Sequence, residues 1–157
     1  MADAQPAALK AMEVAARTAS IYPAPFAAPL KGREKRALGD VFGLTQYGVN
    51  LVTLAPGSWS AQRHWHAVED EFVYVLEGEI TLVDNDGEHR LTPGMCAGFK
   101  AGVANGHCLV NKTGSPALYL EVGLRSPEEQ VTYPDVDMAA TKTGGKFTVT
   151  RKDGTAY

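Results

Sequence analysis

Between residues 46 and 124 the chain is a succession of short β-branched and aromatic runs separated by turn residues. Such a pattern confines it to an antiparallel β architecture. The runs are 47–54 (YGVNLVTL), 71–77 (EFVYVLE), 79–84 (EITLVD), 88–92 (EHRLT), 107–111 (HCLVN) and 117–123 (ALYLEVG). Pro56-Gly57, Gly78, Asp86-Gly87, Pro93-Gly94 and Gly114 punctuate them. Asp86-Gly87 predicts a hairpin with a type I′ turn, because glycine supplies the positive φ such a turn requires. Strands this dense, with almost no helix between them, close into a sandwich or barrel. Outside this region, Leu9, Met12, Ala16 and Ala19 predict a short helix over 8–19. Pro23, Pro25 and Pro29 predict an extended arm over 21–30. The tail is more polar, and its KFTVTRKDGTAY end adds a late strand or hairpin or wraps a partner subunit. The expected organisation is an N-terminal helix and arm (1–45), a barrel (46–124) and a C-terminal extension (125–157) packed on the barrel or on a second subunit.

Composition narrows the function. Fifteen Lys and Arg against eighteen Asp and Glu give a net charge of -3. No broad basic footprint exists, so nucleic acid is not an expected partner. The first twenty residues carry Asp3, Lys10, Glu13 and Arg17, which interrupt any signal-peptide core. No stretch reaches the ~20 apolar residues of a membrane span, so the cytoplasm is the expected compartment. Cys96 and Cys108 are the only cysteines and form no CxxC pair; they read as reduced, buried thiols. A chain of 157 residues buries about 70% of its unfolded surface without help from metal or disulfide. A metal site here would therefore serve function.

The chemistry concentrates in His64-Trp65-His66, followed by Glu71. Alternation along a strand puts His64 and His66 on one face and Trp65 on the other. Two imidazoles stacked this way suit one metal ion, with Glu71 entering from the next strand as a third ligand. His107, at the start of HCLVN, is the natural fourth. One cation satisfies ring nitrogens that would otherwise each need a hydrogen-bond partner. Mixed imidazole and carboxylate ligands favour one divalent transition metal per chain, Fe, Mn, Ni, Zn or Cu, over Ca or Mg. Four protein ligands on an octahedral ion leave two positions for substrate or dioxygen. His89, in the charged run GEHR, reads as exposed and uninvolved.

The stretch from Gly57 to Gly78 reads Gly-x6-His-x-His-x4-Glu-x6-Gly. It resembles the first motif of the cupin superfamily, Gly-x5-His-x-His-x3,4-Glu-x6-Gly, with one extra residue in the first gap. Gly94, Gly102, His107 and Asn111 are similar to the second motif, Gly-x5-Pro-x-Gly-x2-His-x3-Asn. Lys100 stands where proline is usual, and four residues rather than two separate Gly102 from His107. The resemblance covers residues 46–124 and extends to a bacterial group of small single-domain cupins of unsettled activity. It implies a double-stranded β-helix, a jelly-roll-like barrel in which His64, His66, Glu71 and His107 converge on one metal.

Parity adds further expectations. Ser60 and Gln62 share the face of the paired histidines, while Val73 and Val75 share that of Glu71 and line the pocket with apolar wall. Cys108, next to His107, points to the opposite face and is no ligand. Phe72, Tyr74 and Leu76 lie outside the barrel and need a cover. The arm, the tail or a second subunit could supply it, and a homodimer is expected. The leading functional expectation is a metal-dependent cupin acting on a small organic molecule, with dioxygenase chemistry as its concrete form. Isomerase or lyase chemistry would need a general base, for which Lys100 and Tyr47 are the weak candidates. The alternative is a binding or sensing module that uses the pocket without turnover.

Overall fold

The computed structural model describes residues 6–157, so the first five residues of the N-terminal segment lie outside it. Twelve strands follow in chain order. They are β1 (Arg33–Ala37), β2 (Tyr47–Leu54), β3 (Trp65–His66), β4 (Glu71–Glu77), β5 (Ile80–Asp84), β6 (Gly87–Leu91), β7 (Cys96–Phe99), β8 (Cys108–Val110), β9 (Ala117–Leu124), β10 (Glu129–Thr132), β11 (Ala139–Thr143) and β12 (Lys146–Thr150).

One sheet has the order β1-β2-β9-β4-β7. The others are β12-β11-β10-β3 and β6-β5-β8. Residues 57–64 run antiparallel beside β8 and join these two smaller sheets. Gly57 N–H donates to Asn111, Ser60 N–H to Leu109 and His64 N–H to His107, at 2.8–3.0 Å. The result is two facing sheets that close around a common interior, the jelly-roll-like barrel that the strand pattern requires.

Alternation within each strand fills that interior. On β4, Val73 and Val75 are 4% and 0% exposed, whereas Phe72 and Tyr74, which alternate with them, are 42% and 38% exposed. Val52, Leu54, Ile80, Leu82, Leu109 and Tyr119 complete the principal core. Each such apolar side chain contributes about 1.5–3 kcal/mol on burial. A smaller cluster of Val131, Tyr133, Met138 and Ala140 packs under Tyr22 and Phe26, which ties the tail and the N-terminal arm to one end of the barrel. The β4–β5 turn depends on Gly78, whose φ is +74° and where a Cβ would lie 2.7 Å from the Pro116 carbonyl oxygen.

The six expected runs all form strands, but their surroundings differ in several places. Residues 8–19 do not form a helix; only a 3-10 turn at Ala11–Glu13 appears. Arg17 instead exchanges two backbone hydrogen bonds with Lys35 (2.8 and 3.0 Å), adding to the edge of β1. A short isolated helix has little stability of its own, so edge pairing wins. The short helical turn lies within the expected extended arm, at Ala24–Ala27 (α1), with a 3-10 turn at Ala28–Leu30. Pro25 sits in its first turn, where a missing N–H costs nothing. Leu30 is buried at the end of this segment and anchors it. The β5–β6 hairpin exists, with Asp84 paired to Gly87, but its turn is not type I′. Asn85 and Asp86 keep negative φ, and Gly87 alone takes a positive one. Strands β1, β7, β10 and β11 fall outside the expected runs, as does the second short helix, α2 (Leu38–Val41). The tail forms a β-hairpin, β11–β12, turned by Gly144-Gly145, both with positive φ.

Candidate metal centre

The fold carries the histidines together through a single backbone bridge. His64 and His107 are an isolated antiparallel pair, each donating its N–H to the other's carbonyl (3.0 and 2.8 Å). Directly opposed residues in such a pair project from the same face. His66, two residues on, shares that face. Glu71 opens β4 in the facing sheet and reaches across the interior.

All four side chains meet. One oxygen, Glu71 Oε2, lies 3.1 Å from His107 Nε2, 3.4 Å from His66 Nε2 and 3.6 Å from His64 Nε2. Ligand atoms of His64, His66 and Glu71 all lie within 4.8 Å of one another, a group that could hold a metal ion. Burial opposes ionisation of Glu71, but the imidazoles of His107, His64 and His66 outweigh it and hold its carboxyl well below the usual range. Burial pushes the His107 imidazole below its ordinary value. Burial acts the same way on His66, but Glu71, Glu129 and Glu69 outweigh it and raise that imidazole.

The rings are held from behind. His64 donates Nδ1–H to the Gln62 carbonyl at 2.9 Å, which fixes the ring with Nε2 toward Glu71. Phe99 stacks on His107 with centroids 3.5 Å apart and planes 1° from parallel. His66 Nδ1 lies 3.6 Å from Glu129 Oε2. Glu129 accepts N–H bonds from Ala67, Val68, Glu69 and Gln130, fixing the loop that joins His66 to Glu71. Its neighbour Glu69 is likewise matched by Lys142 Nζ at 2.6 Å and Ser126 N–H at 2.7 Å. His66, Glu69 and Glu129 are close enough to hold an ion. Their carboxylates are already compensated by these donors, so this cluster ties the tail to the barrel.

A cavity of about 310 Å³ opens on the four converging residues. Ser60 and Val73 line it, as parity predicts. Val75 does not: it sits one pleat deeper, in the core. Nor does Gln62, whose side-chain amide donates to the Phe26 carbonyl at 2.8 Å. The chain bends through residues 60–63, so strict two-residue alternation ends before Gln62. Lys100 lines a smaller neighbouring cavity, and Tyr47 lies exposed on the outer sheet. Neither lines the main cavity. His89 is exposed and pairs with Asp84 at 3.0 Å.

Sequence reasoning missed several polar groups lining the cavity, Glu121, Lys35 and Arg33 among them. Glu121 and Lys35 face each other there, Oε1 to Nζ 2.7 Å, and Asn50 also donates to Glu121 at 3.1 Å. Arg33 shares the inward face of β1 with Lys35, opposite Leu54 and Val52 of β2. The register Val73↔Glu121 explains why Glu121 points inward. Its parity with Tyr119 was readable in YLEVG.

The thiols differ. Cys108 is buried and lines neither cavity described above; burial pushes its thiol up to about 11. Cys96, expected to be buried, is exposed on β7. One equivalent of an aromatic disulfide reagent is therefore expected to react promptly at pH 8, and a second only after denaturation. Two fast equivalents would contradict this assignment.

A two-sheet barrel with three imidazoles and a carboxylate converging inside it defines a recognisable class. Residues 50–123 match the cupin domain family. The whole chain is similar in structure to a sugar phosphate isomerase of the cupin superfamily from Silicibacter pomeroyi, with a TM-score of 0.91 and 47% identity over 96% of each chain. It is also similar to a putative sugar phosphate isomerase from Acidithiobacillus ferrooxidans, with a TM-score of 0.73 and 29% identity over 80% of each chain. A polyketide cyclase from Streptomyces resistomycificus shares the fold, with a TM-score of 0.62 and 22% identity over 74% of this chain and 78% of that one. No curated protein matches the chain. The chain belongs to the cupin superfamily. None of the described helices is long and apolar enough to cross a membrane.

Proposed function

We propose that the protein is a metal-dependent cupin enzyme that interconverts isomers of a small, phosphorylated, oxygen-rich molecule. His64, His66, Glu71 and His107 would hold the ion, and the observation that carries this reading is the approach of three Nε2 atoms to the single Glu71 Oε2 at 3.1–3.6 Å. Without a cation, three ring nitrogens share one carboxylate oxygen, and the Nδ1 atoms of His66 and His107 are buried with no hydrogen-bond partner. That donor set fits a divalent first-row ion. When bound, such an ion supplies Lewis acidity toward adjacent substrate oxygens.

The rest of the chemistry belongs to the chain. Glu121 and Glu71 are the carboxylates lining the cavity. With Glu71 committed to the ion, Glu121 would take the proton from the hydroxyl-bearing carbon beside a carbonyl and return it to the former carbonyl carbon, while the hydroxyl proton passes to the former carbonyl oxygen. The substrate's net oxidation state is unchanged. Lys35 and Asn50 hold the Glu121 carboxylate in place. Val73, Phe99 and Leu109 give the cavity an apolar wall that limits water. The names of the two sugar phosphate isomerases favour isomerisation over dioxygenation.

The test is incubation of the metal-loaded protein with aldose and ketose phosphates in D2O, followed by NMR, beside an oxygen electrode. Interconversion with deuterium entering at the carbon beside the carbonyl, and no oxygen uptake, is expected. Oxygen uptake with catechols or diketones would replace this reading with a dioxygenase. Tight binding with no product from any class would replace it with a sensing module.

We further propose that a second copy of the chain covers Phe72, Tyr74 and Leu76, which are 37–42% exposed on the outer face of β4. On the adjoining β9, Leu120 and Val122 pair with Tyr74 and Phe72 and extend this apolar surface. A patch of this kind marks an interaction surface. Light scattering is expected to give twice the chain mass at micromolar concentration, and Tyr74→Glu to reduce it to the monomer. A monomeric wild type would contradict the dimer.

A further inference from the structure

Arg17, Arg33 and Lys35 all line the cavity, but their charges are not equally matched. Arg17 meets Asp40 at 3.1 Å, and Lys35 meets Glu121 at 2.7 Å. Arg33 has no carboxylate within 4.0 Å among the described residues. Its guanidinium donates to two carbonyls, those of Ser60 (2.6 Å) and Ala19 (3.3 Å). Its Nε–H is buried with no partner. A half-buried cation that meets only neutral acceptors retains its full charge in a cavity where desolvation strengthens electrostatics.

Other donors lie beside it. Tyr119 is 0% exposed, lines the same cavity, and its hydroxyl has no hydrogen-bond partner. Ser60 Oγ accepts the Leu109 N–H at 2.9 Å and lies beside the Tyr119 hydroxyl. An inward arginine can also serve to blunt an edge strand. Here the β1 edge is already covered by the pairing of Arg17 with Lys35, so that role does not account for Arg33.

We propose that Arg33, with the hydroxyls of Tyr119 and Ser60, forms the subsite for the phosphoryl group of the substrate. This rests on the isomerase reading above and deepens it by assigning the specificity-determining residue. Donors from three separate chain segments suit a tetrahedral group with several acceptor oxygens better than a planar carboxylate. Arginine matches such oxygens through its fixed fork of N–H donors. The subsite needs no metal, which separates its fate from that of the isomerase reading.

The experiment is calorimetric titration of inorganic phosphate into chelator-treated, metal-free protein, with acetate as the comparison anion. Saturable phosphate binding is expected, with acetate at least ~10-fold weaker. Arg33→Met should weaken phosphate binding by at least ~10-fold, and Arg33→Lys by less, since lysine keeps the charge but loses the fork. Arg33 also tethers the arm through Ala19, so Tyr119→Phe supplies a variant that removes only a hydroxyl. It should weaken phosphate binding by about 3-fold or more with an unchanged circular dichroism spectrum. No phosphate binding by the wild type, equal binding by folded Arg33→Met, or acetate binding as tightly as phosphate would each overturn the subsite. Failure of the isomerase reading alone would show as phosphate binding without turnover in the metal-loaded protein.

Discussion

Replacing His66 with Ala is expected to leave the barrel folded and to remove its metal. His66 belongs to neither apolar cluster, so truncation opens no core cavity. It does delete one of three imidazoles that share Glu71, and Glu129 would be left facing an empty space 3.6 Å from where Nδ1 had been. Altering an outer-shell partner of a ligand already costs about 10–100-fold in metal affinity, and removing a ligand should cost more. Elemental analysis of protein purified without chelator should fall from about one ion per chain to below about 0.1, with activity lost in parallel. Far-ultraviolet circular dichroism should be unchanged. Retention of a stoichiometric ion by the variant would mean that the cation sits elsewhere.

Glu121→Gln is the second large effect, and it separates proton transfer from metal binding. The substitution keeps the shape of the side chain and its contact with Asn50, but removes the carboxylate. General acid–base groups contribute typically 10²–10⁴-fold, so turnover should fall by roughly that factor. Metal content should remain near that of the wild type, because Glu121 stands outside the converging quartet. Some stability is lost, because Lys35 then faces the cavity without its 2.7 Å partner. The proposed phosphate subsite should still bind, and KM should change less than kcat. A variant as active as the wild type would remove Glu121 from the reaction.

The physical pattern explains which parts of this were legible in advance. Strands β2 and β4 begin and end where the runs of β-branched and aromatic residues begin and end, and on β4 period-two burial dictates both the pattern and the element. His64 and His66 were readable for the same reason, and the cupin-like spacing extended the reading to Glu71 and His107. Parity lost its hold at Gln62, where the backbone bends. It could not see how deep Val75 lies, since alternation fixes a face and says nothing of depth. Strand β1 was hidden by its own charges: REKRA looks like a solvated segment, yet Arg33 and Lys35 point inward because the cavity is polar there. The N-terminal segment defeated helical periodicity because an open sheet edge offered Arg17 better backbone partners than a three-turn helix could. Glu129 was invisible for a different reason. Its contact with His66 spans more than sixty residues and depends on β10 pairing with β3.

The proposed chemistry requires one cation held by residues from both sheets. An anomalous-difference map, collected at the absorption edge of the metal found by elemental analysis, tests this directly. One peak per chain is expected, about 2.0–2.2 Å from the Nε2 atoms of His64, His66 and His107 and from a carboxylate oxygen of Glu71. A peak between Glu69 and Glu129, or none among the three imidazoles, would contradict it.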